Sequence, residues 1–307
     1  VPNPSLTLLE QRYLVISDQK PERGWGLYVL NLEAMNELFI SVPDGLVEKY
    51  TDVLALRMMN QFQARTVAIS TSRRDRSVNG SSDVLEYPVN LFQQFHRINP
   101  INNVLQLRGY NQSLKRQIGG QNFNLGRSGS LGNVLWVKNK LPQDLAVSTI
   151  NDWVDQLDVR ISPAPFDNLQ RELSQHGFAE LLLSPEAIKR LLNQVGLVEA
   201  TVELRQARRL EGYLQSWLLN NKSLLARRGS ESYQKPDLGT LLYWENEILL
   251  PVLALADQQR LAGWNESSRA ELNRLSDVLS AYNYQLLHYV ELGQDEESLI
   301  LSERPGA

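Results

Sequence analysis

Residues 37–42 read ELFISV, residues 66–70 read TVAIS and residues 104–108 read VLQLR. Each run is short and rich in Val, Ile and Leu, and it ends next to charged or polar residues, which is the pattern of a strand. Residues 49–63, between the first two runs, place apolar side chains at helical spacing. A strand–helix–strand unit follows, so we expect the first two strands to be parallel neighbours in an α/β sheet.

The pattern changes along the chain and predicts two units. Three further strand-like runs lie in the first half, at residues 12–17, 27–30 and 133–138. From Ser184 onward apolar residues recur with helical spacing, and Ser184 followed by Pro185 is a typical helix start. We therefore predict an α/β domain over residues 1–180, followed by a helical domain over residues 181–307.

Three helical stretches are predicted in the second half. They run from residue 184 to about residue 228, near residues 237–262, and from residue 265 through residue 289. The third stretch has an apolar stripe, formed by Leu272, Leu275, Val278, Leu279, Tyr282, Leu286 and Tyr289. His288 lies beside this stripe and is expected to pack among its aromatic residues.

The composition limits the partners and the chemistry. The 307 residues carry a net charge of −4 and the pI is about 5.6, so no nucleic-acid partner is expected. The absence of Cys excludes disulfides, thiolate catalysis and Cys-ligated zinc. The longest apolar run, residues 248–256, is interrupted by Pro251 and is too short for a membrane span. The chain begins at Val1, as a trimmed chain or a cleaved secretory precursor would, and we expect a periplasmic or secreted location ahead of a cytoplasmic one.

Polar side chains follow the ends of the three strands quoted first and the helix-like segment before the third. The candidate site residues are Asp44, Glu48, Arg73, Arg74, His96 and Arg108. In open α/β sheets ligands bind beyond the carboxyl ends of the strands. We therefore expect these side chains to line one cleft, in which the arginines bind an anionic group.

Five short motifs occur in order in this region. They are VPDGLVEKYT at residues 42–51, TSRR at 71–74, SD at 82–83, FHR at 95–97 and QLRG at 106–109. Their order resembles zinc-dependent amidohydrolases of the N-formylglutamate amidohydrolase type, which show VPH-x-x-x-D/E-x-x-T, R, SD, FHR and Q-x-H-G. The resemblance covers roughly the first half of the chain. It implies a mixed sheet of the phosphorylase/hydrolase-like type, shared with zinc carboxypeptidase-like enzymes.

By this resemblance the family's first metal-binding His falls at Asp44, its acidic ligand at Glu48 and its later metal-binding His at Arg108. The family's arginine for a substrate carboxylate falls at Arg73 or Arg74. Catalytic zinc normally has three protein ligands from His, Asp or Glu, whereas a guanidinium group stays protonated and offers only donors. Arg108 is therefore expected to replace the charge of the metal in a cluster with Asp44 and Glu48.

The preferred interpretation is a metal-free, catalytically altered or inactive relative of these hydrolases, without a cofactor, that binds an anionic small molecule or a protein partner. One alternative is an active metal-dependent amide or peptide hydrolase whose zinc is bound by Asp44, Glu48 and His96. Another is a structural or assembly protein that acts through its helical domain, for instance as a homo-oligomer.

The candidate residues also have structural explanations. Asp44 and Glu48 fit the first turn of a helix, where the helix dipole favours acidic residues. Arg73 and Arg74 fit a solvated loop. His96 follows a phenylalanine in an amphipathic segment, which is typical of a histidine packed in a core.

Overall fold

The computed structural model of the chain describes residues 10–74, 76–99, 103–109, 113–118, 121–127, 132–138, 140–165, 168–194, 210–225 and 233–292. The strands are β1 Glu10–Asp18, β2 Leu27–Asn31, β3 Leu38–Val42, β4 Thr66–Ile69, β5 Asn103–Gly109, β6 Ser113–Ile118, β7 Gln121–Arg127, β8 Asn133–Lys138, β9 Val159–Pro163, β10 Gly177–Leu183 and β11 Tyr284–Leu292. The helices are α1 Thr51–Phe62, α2 Leu91–Ile98, α3 Val147–Leu157, α4 Leu169–Leu173, α5 Pro185–Gln194, α6 Leu210–Leu225, α7 Leu238–Tyr243, α8 Leu250–Ala262 and α9 Glu266–Ala281. A 3₁₀ turn forms at Pro21–Arg23, and a π-helical turn at Trp244–Leu249 joins α7 to α8.

In the described residues nine strands form one mixed sheet, in the order β11-β1-β2-β4-β3-β5-β10-β8-β9, and β6 pairs with β7 separately. The pairs β3–β4, β3–β5, β5–β10 and β8–β9 are parallel, and the other pairs are antiparallel. All six strands predicted from the sequence are present, and β3 and β4 are parallel neighbours connected through α1. The predicted α/β class with a C-terminal helical region is therefore confirmed.

Helices cover both faces of the sheet. On one face α1, α3, α5 and α6 pack against side chains such as Ile40, Leu105 and Leu181. On the other face α2, α8 and α9 pack against side chains such as Phe39 and Val104. Because successive side chains of a strand point to opposite faces, the central strands need apolar residues at nearly every position.

The helix predicted from residue 265 through residue 289 is wrong over its last eight residues, 282–289. α9 ends at Ala281, and β11 follows it as the antiparallel partner of β1. Asn283, with a φ of 59°, lies in the turn between them. His288 therefore lies in a strand, and its ring stacks on Trp264 at a centroid distance of 4.1 Å. The apolar residues of this segment suit both the strand period and the helical period, so the pattern alone does not decide between them.

The described contacts cross the predicted division between residues 1–180 and 181–307. Residue 180 lies inside β10, a strand that the sequence analysis did not predict and that pairs with β5 and β8. β11 is an edge strand of the same sheet, and α8 and α9 pack in the hydrophobic core on one face of that sheet. The predicted helix from residue 184 is present as α5 and α6, and residues 195–209 between them lie outside the described residues.

The segment Leu238–Ala262 runs through α7, the π-helical turn and α8. Among the described residues it is the one helix that is long and apolar enough to cross a membrane. One side of it packs into the core of the sheet through Trp244, Ile248 and Val252. One side of the segment is therefore part of the core, and the described residues show no clear membrane span.

Candidate functional site

A layer of polar side chains lies buried on one face of the sheet, from the middle of β5 and β10 to the carboxyl ends of β3 and β5. Ser41, Gln106 and Glu180 occupy neighbouring positions across these strands, and none is more than 1% exposed. His96 of α2 hydrogen-bonds to Ser41, and Gln170 of α4 hydrogen-bonds to Gln106. Burial of polar groups costs free energy unless each is paired. The polar layer at these core positions is therefore a candidate site.

Arg108 is the centre of the layer. Its Nε lies 2.9 Å from Oε1 and 3.0 Å from Oε2 of Glu48, and its Nη2 lies 2.6 Å from Oε1. Its Nη1 lies 3.6 Å from Oε1 of Glu180. Burial acts to lower the pKa of Arg108, but the charges of Glu48, Glu180 and Asp44 raise it above its usual value. Arg108 is therefore a permanent cation that contacts Glu48, whereas Asp44 acts on it through its charge and pairs with Arg74 instead.

Asp44 and Glu48 lie in the turns between β3 and α1. Since α1 begins at Thr51, neither residue is in its first turn, and the helix-dipole explanation is wrong. Oε2 of Glu48 also accepts a hydrogen bond from the backbone N–H of Gly109 at 2.9 Å. A Cβ at Gly109 would lie 3.3 Å from side-chain carbons of both Glu48 and Thr51, so the close approach of β5 to this turn favours glycine.

Glu180 is bound by side chains of α4 and of its N-cap residue. Its Oε2 accepts a hydrogen bond from Nδ2 of Asn168 at 3.3 Å and lies 3.4 Å from Nη2 of Arg171. Asn168 also donates to Gln106 at 3.1 Å, and Gln106 donates to Gln170 at 3.2 Å. The sequence analysis missed these residues. The available signal was a single polar residue inside each of the apolar runs VLQL and FAELLL.

Within the described residues Asp44 has a hydrogen-bond partner for one carboxylate oxygen only. Its Oδ2 accepts a hydrogen bond from Nε of Arg74 at 2.9 Å. Its Oδ1 is buried and has no hydrogen-bond partner among the described residues. Burial raises the pKa of Asp44 to about 7, and the charge of Glu48 acts in the same direction, against Arg74 and Arg108. Such perturbed carboxyl groups in a polar cluster are typical of functional sites.

Arg74 is the solvent-facing member of this pair. Its side chain is 28% exposed, whereas that of Asp44 is 1% exposed. Within the described residues Arg74 hydrogen-bonds through Nε, so its two Nη atoms retain donors for a ligand. The neighbouring Arg73 is also partly exposed. Arg76 is buried and donates to the backbone carbonyl of Glu22, so this segment is not solvated throughout.

His96 is a buried residue with both ring nitrogens occupied. Nε2 lies 2.9 Å from Oγ of Ser41 and Nδ1 lies 2.9 Å from the carbonyl oxygen of Phe92. Because a carbonyl only accepts, Nδ1 donates to it and Nε2 accepts from the hydroxyl. Burial lowers the pKa of His96 to about 4, so the ring is neutral at pH 7. In the described residues no group of three or more His, Asp or Glu side chains is placed to bind a metal ion, the set Asp44, Glu48 and His96 included.

Three carboxyl groups of the cluster face three guanidinium groups. Asp44, Glu48 and Glu180 face Arg74, Arg108 and Arg171.

No protein-family model matches the chain, and neither a curated protein nor a solved structure is significantly similar to it. The side chains of the site are therefore the basis for a functional assignment.

Proposed function

We propose that this chain binds an anionic small molecule without a metal ion, as a catalytically altered or inactive relative of the zinc-dependent amidohydrolases. The observation that carries the proposal is the buried guanidinium of Arg108, bonded to Glu48 and close to Glu180, at the position where the sequence resemblance expects a metal ligand. A guanidinium group in this place supplies the positive charge of a bound cation. It does not act as a Lewis acid or lower the pKa of a bound water, as zinc does.

The outer part of the cluster suits an anion. Arg108 is buried and neutralised by Glu48, whereas Arg74 is partly exposed and keeps two terminal nitrogens for other partners. A guanidinium group that presents these nitrogens side by side matches the oxygens of a carboxylate or a phosphate. Arg74 is therefore the residue on which ligand binding depends.

Metal analysis and calorimetry of the purified full chain test this proposal. We expect no stoichiometric zinc, together with binding of glycolate or inorganic phosphate that Arg74→Gln weakens at least about tenfold because a charged bidentate donor is lost. Arg160→Gln removes an exposed arginine of the edge strand β9 and should leave binding unchanged. Stoichiometric zinc that is lost on Glu48→Ala would contradict the proposal and favour the metal-dependent hydrolase.

A second surface favours self-association. Every fourth residue from Leu238 to Ala254 is exposed, and three of these five residues are leucines, Leu238, Leu242 and Leu250. Side chains four residues apart on an α-helix differ in direction by about 40° around the helix axis. The wider π-helical turn between α7 and α8 reduces this difference. The exposed side chains therefore stay on one side of the segment. We propose that this side pairs with the same side of a second copy, as in two-fold dimers.

Sedimentation of the full chain tests the dimer. We expect the chain to sediment as a dimer and the double variant Leu238→Glu/Leu250→Glu to sediment as a monomer, because buried glutamates in the interface would lack partners. Val78→Glu, at a loop residue that is 99% exposed, is the matched control and should remain dimeric. A monomeric wild-type chain would contradict the proposal.

A further inference from the structure

Asp44 and Arg74 together restrict the ligand more closely than a positive surface alone would. We propose that the site selects an anion that carries its own donor hydrogen, such as hydrogen phosphate or a hydroxycarboxylate, and rejects an anion without one, such as sulfate or acetate. This inference rests on the anion binding proposed above. It names the chemical class of the ligand and the residue that discriminates.

The unpartnered oxygen of Asp44 carries the argument. Arg74 occupies Oδ2, but Oδ1 is buried and has no donor among the described residues. The charged groups that act on Asp44 are Arg74 and Arg108, which are cations, and Glu48 and Asp83, which have no donor when ionised. Since a buried acceptor without a partner is costly, its retention next to a partly exposed arginine is explained if a ligand supplies the missing donor.

Arg74 and Asp44 pair with opposite kinds of hydrogen-bonding group. The Nη atoms of Arg74 are donors and need an acceptor, whereas the ionised carboxylate of Asp44 is an acceptor and needs a donor. Hydrogen phosphate has both, and so does glycolate, whose hydroxyl is next to its carboxylate. Sulfate and acetate have acceptors only, so one of their oxygens would face the lone pairs of Asp44 without a hydrogen between them. A site of this kind rejects the analogue that lacks the hydrogen.

Calorimetry with two matched pairs of anions tests the selectivity. The titrations are made at pH 8.5, where Asp44, with a pKa of about 7, is ionised and phosphate retains one hydrogen. We expect phosphate to bind at least about thirtyfold more tightly than sulfate, or glycolate to bind more tightly than acetate by a similar factor. The pair that discriminates identifies whether the ligand is a phosphate or a hydroxycarboxylate.

Asp44→Asn is the decisive variant because it should gain binding. An asparagine side chain offers a donor as well as an acceptor, so sulfate and acetate should bind more tightly and the discrimination should fall below about threefold. A gain in affinity does not result from misfolding. Asp152→Asn, at an exposed position of α3, is the matched control and should keep the selectivity of the wild-type chain.

The outcomes separate this inference from the proposed function. Equal affinity within both pairs would overturn the selectivity and leave anion binding at Arg74 intact. Selectivity that persists in Asp44→Asn would also overturn it, because another group would then discriminate. Binding of none of the four anions would overturn both proposals.

Discussion

Replacement of Arg108 by Ala is expected to lower the free energy of unfolding by about 3 to 5 kcal/mol, the range seen when one partner of a buried ion pair is removed. The substitution leaves Glu48 and Glu180 without their central cation. The side chains of these two carboxylates are 5% and 1% exposed, so water replaces the lost interactions poorly. Urea unfolding of the variant and the wild-type chain, followed by circular dichroism, measures the loss.

Arg65→Ala is the matched control. Arg65 also bridges two carboxylates, with contacts of 2.5 Å to Glu37 and 2.6 Å to Asp257, but these side chains are 24% and 40% exposed. Their charges remain hydrated without Arg65, so we expect a smaller loss of about 1 kcal/mol. Free guanidinium ion, at concentrations far below those that unfold proteins, should stabilise the Arg108→Ala variant by entering the vacated position, and should not stabilise Arg65→Ala. Equal losses in the two variants, without such rescue, would contradict the role assigned to the buried cluster.

The part of the site that lies at strand ends could be predicted from the sequence. A strand–helix–strand unit makes β3 and β4 parallel, and β5 continues the parallel set, so residues that follow these strands meet at one edge of the sheet. Glu48 follows β3, Arg108 is the next-to-last residue of β5, and the two are in contact. The same reasoning placed Arg74 near Asp44.

The part of the site that lies inside the strands could not be predicted. Gln106 and Glu180 are each a single polar residue inside an apolar run, and a polar residue of a strand usually lies on a face in contact with water. Here α2 and α4 cover that face, and only the tertiary packing reveals that the polar side chains are buried. The role of His96 likewise depends on Ser41, which is 55 residues away in the sequence. β11 depends on its pairing with β1 at the other end of the chain.

Asp44→Asn is expected to stabilise the chain above pH 7 by roughly 2 kcal/mol. The pKa of Asp44 is about 7 in the folded protein against a usual value of 3.8, so between these values the folded state binds more protons than the unfolded state. Its contribution to stability therefore falls as the pH rises from 3.8 to 7 and is lowest above pH 7. Three pKa units correspond to about 4 kcal/mol, and the coupling to Glu48 leads us to expect about half. Asn has no charge to desolvate, so unfolding curves of the two proteins should coincide near pH 4 and separate at pH 8.5.

Asp18→Asn should have the opposite effect, although burial raises the pKa of Asp18 too, to about 6. The buried Arg23 donates to both carboxylate oxygens of Asp18, at 2.6 and 3.2 Å. The amide nitrogen of the asparagine is a donor, so it would face a guanidinium donor and leave the buried Arg23 without one of its acceptors. Arg74 is partly exposed and is hydrated when Asp44 loses its charge. Destabilisation by Asp44→Asn at pH 8.5 would make Asp44 a structural ion-pair partner like Asp18. A carboxylate that persists where its neutral isostere is more stable is instead explained by function, since active and binding sites are where proteins retain such costs.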